Sequence, residues 1–439
     1  MNKVKDIFIA GLALFAMFFG AGNLIFPPKL GANLGTDWMS GVLGFSLSDA
    51  GISFLVIVAL ALAGGRVQSI GERVHPKFGI GLGIVISLLL GPLLSVPRTG
   101  AVGFEMGFAP LVPHFNLLIF SAIYFGMVYY ICKDSTNIID KIGKILTPML
   151  LLGLLVIVIK GIISPPSSPQ PSLVSEGFGS AFLEGYQTVD GLGAVLLAGF
   201  VINSLRDKGY KKKSTILKIT IAAGILASVL VTLIYASLMY LGSTHGPTLP
   251  ADIGRSELFI SMVNSLLGPV GMTFMALAVI MACFTTAVGL TATIARFYEA
   301  QTNYKYSYKR IVALMLLVSF GLSNLGVELI IKFAAPVLKI IYPIVVILVL
   351  MKLMDRLFKH NMSYRVAVIV CVLLSLPSVC ASSGIHLPSI NPSSFELPLV
   401  KWEMEWLMPS MLVAFLTEGI MVLKDYIVAQ RKMSSIEIE

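Results

Sequence analysis

Apolar residues run for about 20 positions at a time along most of this chain, far longer than a soluble core helix needs. A helix rises 1.5 Å per residue, so about 20 residues cross the ~30 Å hydrocarbon core of a bilayer. Twelve stretches qualify: 7–33, 38–63, 79–108, 115–132, 145–163, 185–204, 216–241, 269–295, 311–326, 329–354, 364–382 and 407–424. The ninth is the shortest, and the tenth carries Lys332, Lys339 and a kink at Pro343. Runs of alternating ten-residue segments, the mark of an outer-membrane barrel, do not occur. The pattern predicts an all-α membrane protein with twelve transmembrane helices.

The first span raises a question. Its uninterrupted apolar run, Ile7 to Phe19, is only about 20 Å long as a helix. The span must continue through "GAGN", Gly20-Ala21-Gly22-Asn23. Span 6, "YQTVDGLGAVLLAGFVINS" at 186–204, is interrupted in the same way by Asp190-Gly191-Leu192-Gly193. Five spans begin between the two breaks. Paired glycine-interrupted spans at matching positions of two halves point to a midplane binding site in a secondary transporter. Spans 1–5 then match spans 6–10 as a 5+5 inverted repeat, residues 1–165 and 180–356. Residues 360–439 add spans 11 and 12 and a C-terminal tail.

An unwound stretch bares backbone N–H and C=O groups that lipid cannot satisfy. The half-helix that starts after a break presents free N–H groups and a positive dipole end, which suits a carboxylate. The half-helix that ends before it offers carbonyl oxygens, which suit a small hard cation. Asn23 adds a side-chain oxygen. In span 8, "MACFTTAVGLTATIARF", Ala282, Thr285 and Thr286 share one helical face and could complete an oxygen cage. Each feature also has a structural reading. Gly20 and Gly22 could serve close helix packing. The threonines could bond back to their own helix, and Asp190 could cap a half-helix, face a substrate amine or accept a proton.

Three more ionisable residues lie within spans: Asp49 in span 2, and Arg98 and Glu105 in span 3. Arg98 and Glu105 are seven residues apart and on a similar face, so they are expected to neutralise each other, in a structural, gating or substrate-binding role.

Composition agrees with a membrane class: 56% hydrophobic and 13% charged residues, with a mean hydropathy of +0.88. Most of the 32 Lys and Arg residues fall in the N-terminal tail, the loops after even-numbered spans and the C-terminal tail. That asymmetry places both termini in the cytoplasm. The net charge of +9 is then topological, and the basic loop at "YKKKS" reads as an orientation signal, with no nucleic-acid partner. Residues 1–22 have the outline of a cleaved signal peptide, but the charge alternation works only if this span stays. The four cysteines lack metal spacing and are expected to be small packing residues. Histidines 75, 114, 245, 360 and 386 fall in loops or at span ends and are expected to be solvated. The polar stretches 164–172, 242–257 and 381–401 fall outside by this topology and could form an external lid. No phosphate loop, HExxH or catalytic Ser/His context appears, so the chain is not read as an enzyme.

At these residues the sequence resembles a known family. "GLALFAMFFGAGNLIFPPKLG", "GPLLSVPRTGAVGFE" and "DGLGAVLLAGFVINSLR" are similar to segments of the branched-chain amino acid:cation symporters, the bacterial branched-chain amino acid carriers. The resemblance implies uptake of leucine, isoleucine and valine across the bacterial cytoplasmic membrane, driven by Na+ (or H+ in some members). It implies the inverted-repeat fold of the amino acid–polyamine–organocation superfamily. No obligate protein partner is implied. "GAGNLIFP" is also similar, more distantly, to span 1 of sodium-coupled neurotransmitter-type amino acid symporters. That likeness implies substrate carboxylate at the N–H groups around Gly20, Ala21 and Gly22. It implies a sodium site from the carbonyls of Ala16 and Phe19 with Ala282, Thr285 and Thr286. Asn23 could join a second sodium site, whose other ligands find no match. Tyr186 and Leu192 would flank the substrate side chain, and Thr188, Asp190 and Gly191 complete the expected substrate-contacting set from span 6. The arginine that precedes Phe-Pro in the distant family is missing here, which leaves an outer gate built on it unsupported. A channel, or a transporter for another small apolar solute, remains the alternative.

Overall fold

The computed structural model describes residues 3–133, 138–250, 252–382 and 399–436. His386 and most of the 381–401 stretch lie outside the described residues. All regular elements among the described residues are helical.

The first half contains α1 (Lys3–Phe18), α2 (Ala21–Leu34), α3 (Trp38–Ser46), α4 (Ile52–Leu62), α5 (Pro76–Leu88), α6 (Ser95–Val102), α7 (Leu117–Cys132) and α8 (Ile138–Ile163). The second contains α9 (Gly177–Tyr186), α10 (Asp190–Asp207), α11 (Lys213–His245), α12 (Arg255–Gln301), α13 (Tyr308–Ser323) and α14 (Val327–Leu353). Helices α15 (Asn361–Ser382) and α16 (Leu407–Ile436) follow. Wide π-turns join α3 to α4 at Leu47–Gly51 and α5 to α6 at Leu89–Leu93. Such turns displace backbone bonds and re-aim side chains, and they often sit at functional sites.

Among the described residues six helical stretches are long and apolar enough to cross a membrane, and the bent pair α9–α10 makes a seventh. The twelve-span count is not reached by length alone. Helices α1, α7 and α13 have 16 residues each, and a broken span shows its length only when its two halves are joined.

The packing has an internal exchange pattern. Helices α1 and α2 lie along α11, while α9 and α10 lie along α3 and α4. Numbered as spans, these are contacts 1 with 7 and 6 with 2. The close fit relies on missing side chains, as membrane helix interfaces often do. A Cβ on Gly31 would stand 1.9 Å from the Met239 carbonyl oxygen, and one on Gly242 would stand 2.0 Å from that of Pro28.

The residues before α16 fold onto α9. The Trp402 ring lies 5.0 Å from that of Phe178, and Lys339 Nζ on α14 donates to Glu403 at 2.8 Å. Cys132, Cys283 and Cys371 are buried free thiols and Cys380 is half-buried. His245 is not solvated as expected: it is buried at the end of α11, with Nδ1 2.8 Å from the Leu241 carbonyl.

Candidate functional site

The first break falls at Phe19-Gly20. Phe19 N–H still bonds the Phe15 carbonyl at 2.8 Å. Gly20 is extended (φ −115°, ψ −167°) and caps α2. Its N–H turns to Asn23 Oδ1 at 3.2 Å, away from the helical ladder. Asn23, at the third position of α2, thereby stabilises the start of the new half-helix.

The second break falls earlier than the glycines suggest, at Gln187–Val189, and Asp190 is the first residue of α10. The helices on either side are bent by 44°. Val189 has φ +63°, a left-handed conformation that costs a β-branched residue free energy and persists only where the surrounding structure holds it. Gly191 and Gly193 are helical. Gly191 serves packing, since a Cβ there would stand 3.0 Å from Tyr342 Cε1.

The two breaks meet. Asn23 Nδ2 donates to Asp190 Oδ2 at 2.7 Å and to the Tyr235 hydroxyl of α11. The Tyr235 hydroxyl donates to Asp49 Oδ2. The Thr188 hydroxyl lies 2.7 Å from Asp49 Oδ1 and 2.8 Å from the Gly185 carbonyl oxygen. Arg98 of α6 donates to the carbonyls of Gln187 and, at 3.0 Å, Thr188. The guanidinium thus satisfies the carbonyls that the second break sets free. Asn23, Asp49, Arg98, Thr188 and Tyr235 are all almost fully buried.

A small cavity of about 40 Å³ sits between the breaks, lined by Gly20–Asn23, Thr188–Asp190, Arg98, Thr286 and apolar residues that include Met17 and Leu197. One water needs ~10–15 Å³ of such space, so the cavity has room for about three waters and must widen to take an amino acid. Among the described residues Ser95 Oγ and Arg98 Nε at this cavity are buried without a hydrogen-bond partner.

The profile of the branched-chain amino acid transport protein family matches residues 3–424. The chain belongs to that family. It is 33% identical to the branched-chain amino acid permease BraB of Bacillus subtilis (strain 168), over 94% of each chain. It is also 33% identical to a putative branched-chain amino acid carrier protein of Staphylococcus aureus (strain USA300), over 98% of this chain and 100% of that one. Two solved structures show the fold. The nucleobase-cation-symport-1 family transporter Mhp1, closed with bromovinylhydantoin bound, has TM-score 0.60 at 13% identity, covering 93% of this chain and 91% of that one. MhsT in complex with L-phenylalanine has TM-score 0.53 at 14% identity, covering 93% and 96%. The family member is a multi-pass membrane transporter and not an enzyme.

Of the residues expected at the site, Gly20, Ala21, Gly22, Asn23, Thr188, Asp190 and Thr286 line the cavity of this transporter. Thr286 Oγ1 is 3.8 Å from where a Gly20 side chain would begin. Ala16, Phe19, Ala282, Thr285, Tyr186, Gly191 and Leu192 lie outside that lining. The Thr285 hydroxyl donates to the Ala282 carbonyl at 2.9 Å. Tyr186 stacks on Tyr342, 4.4 Å between ring centroids.

Arg98 and Glu105 do not pair, contrary to expectation. The π-turn at Gly103–Phe108 follows α6 and breaks the helical register that a seven-residue spacing assumes. Glu105 instead accepts from the Ser256 hydroxyl at 2.7 Å and Val327 N–H at 3.0 Å. Tyr235 was missed altogether: a single phenol in an apolar span carries no spacing signal. No arginine precedes Phe26, yet two reach its ring from elsewhere, Arg98 at 5.7 Å and Arg255 at 5.6 Å. Arg255 also bridges Glu184 of α9, at 2.8 Å, and Glu328 of α14.

Proposed function

We propose that the chain is a secondary active symporter that imports leucine, isoleucine and valine by alternating access, coupled to Na+ or H+. It would sit in the bacterial cytoplasmic membrane with twelve spans and both termini in the cytoplasm. Residues 1–165 and 180–356 would form the inverted repeat. The exchange of contacts 1 with 7 and 6 with 2 supports that symmetry. The observation that carries the reading is the meeting of the two breaks around one cavity, tied by Asn23 and Asp190.

The substrate carboxylate would take the N–H groups at Gly20–Gly22, at the positive end of α2. Asp190 lines the cavity and would meet the ammonium group. The apolar side chain would enter between Met17, Leu197 and their neighbours once the half-helices part. Each buried CH2 is worth about 0.8 kcal/mol, so the pocket separates leucine from alanine better than from valine or isoleucine.

Sodium would be held by the carbonyls of Ala16, Phe19 and Ala282 with the hydroxyls of Thr285 and Thr286. Thr286 beside Gly20 supports this. Thr285, although it donates to Ala282, leaves its oxygen lone pairs for a cation. The Arg255 bridge between α9 and α14 would close the outer side.

The test is radiolabelled leucine uptake into liposomes under imposed Na+ or H+ gradients. Saturable accumulation, competed by isoleucine and valine, supports the symporter. Non-saturating flux would mark a channel, and accumulation of other apolar solutes in preference would mark a different substrate. Thr285→Ala and Thr286→Ala should raise the Na+ concentration needed for half-maximal uptake.

A further inference from the structure

Asp49 lies behind the cavity. It is 1% exposed and is absent from the cavity lining, and its carboxylate adjoins that of Asp190, which does line the cavity. It sits in the π-turn of span 2, an arrangement that turns its carboxylate toward α9–α11. The groups that face it are Thr188 and Asp190 of span 6, Tyr235 of α11, Arg98 of α6 and Tyr342 of α14.

Charge leaves this cluster unbalanced. Asp49 and Asp190 are two carboxylates, and Arg98 is one guanidinium. A bound zwitterionic amino acid adds nothing to the sum. One positive charge is still needed in a place where an uncompensated ion is expensive.

The hydrogen bonds show where a proton fits. Asn23 Oδ1 receives the Gly20 N–H, which fixes the amide so that Nδ2 donates to Asp190 and Tyr235. Tyr235 must therefore donate its own proton to Asp49 Oδ2. On the other side, the Thr188 hydroxyl has one proton and two acceptors, Asp49 Oδ1 at 2.7 Å and the Gly185 carbonyl at 2.8 Å. With Asp49 ionised, Thr188 donates to it. With a proton on Oδ1, Asp49 donates to Thr188 and Thr188 donates to Gly185. Neither state requires a heavy atom to move. Among the described residues no group of three or more His, Cys, Asp or Glu side chains is placed to hold a metal ion here.

We propose that Asp49 is a proton-binding site of this carrier, with the Thr188 hydroxyl as its two-way switch, and that its proton can stand in for the coupling cation. An O–H bond forms at Oδ1, the proton comes from water on the side then open, and the carboxylate charge is neutralised. The change registers at the second break, because Thr188 belongs to it and Arg98 holds its carbonyl. The inference rests on the symporter reading for its role in transport, but the protonation itself does not.

Two measurements test it. In sodium-free liposomes with a pH dye inside, leucine uptake by the wild type should acidify the lumen, and Asp49→Asn should abolish that signal. Leucine exchange in the wild type checks the symporter reading separately. Exchange without acidification, or acidification in Asp49→Asn, overturns the proton site. Infrared difference spectra of the purified protein, titrated across about pH 5 to 9, need no transport. A titrating carboxylic-acid carbonyl band should be present in the wild type and Asp190→Asn, lost in Asp49→Asn and shifted in Thr188→Val. Absence of the band from the wild type, or its survival in Asp49→Asn, overturns the proposal even if every variant fails to transport.

Discussion

Asn23 Nδ2 lies 2.7 Å from Asp190 Oδ2, and this one bond joins two helix breaks that are 167 residues apart in sequence. Asn23→Ala removes it together with the bond to Tyr235. Losing a partner from a buried polar group costs about 1–3 kcal/mol, so leucine affinity should fall roughly 5- to 150-fold. Equilibrium binding of labelled leucine to the purified, monodisperse variant reads this directly. Unchanged affinity would detach Asn23 from the site.

Arg98→Lys keeps the charge and loses the fork. A lysine ammonium cannot span the carbonyls of Gln187 and Thr188 in the fixed geometry that arginine provides. Uptake of leucine should drop about tenfold or more, the equivalent of ~1.4 kcal/mol, while insertion into the membrane is preserved. Initial rates in liposomes, corrected for the amount of inserted protein, measure the loss.

Gly242→Ala tests the fit between α2 and α11. Its new Cβ would stand 2.0 Å from the Pro28 carbonyl oxygen, so backbone must shift. Overpacking of this kind costs about 1–3 kcal/mol. The variant should unfold several degrees earlier than wild type in detergent. Gly289→Ala, where a Cβ meets nothing within 4 Å, should leave that temperature unchanged.

His360 follows α14 and gives a pH signature. Hydrogen bonds to Glu418 and then Asp425 raise its pKa above the usual 6.5. Its contribution to stability is therefore complete below about pH 6.5 and is lost as pH rises through the raised value. Against His360→Gln, the wild-type advantage in melting temperature should shrink as pH is taken from about 6 to 9. A constant difference would show that the ring is not charged in the folded protein.

Apolar runs and two glycine clusters made the helical class and the existence of both breaks legible from residues alone. The exact place of the second break was not. Gly191 resembles a helix breaker in sequence but is needed for contact with Tyr342, while Val189, a residue with no such signature, takes the left-handed turn. Arg98 and Asp49 stood out as charges inside spans. Their partners are carbonyls and hydroxyls from other helices, and no spacing along one helix encodes those contacts. The π-turns that re-aim Asp49 and Glu105 change helical phase without leaving a mark that periodicity can show.

The turn that seats Trp402 against Phe178, with Glu403 holding Lys339, ties α9 and α14 to the chain that leads into α16. Helix α9 is thereby moored to a segment that follows α15 in the chain. If the proposed alternating access swings α9 at Val189, that mooring must travel with it or part. A chain cut short after α14 would be left with an unanchored arm.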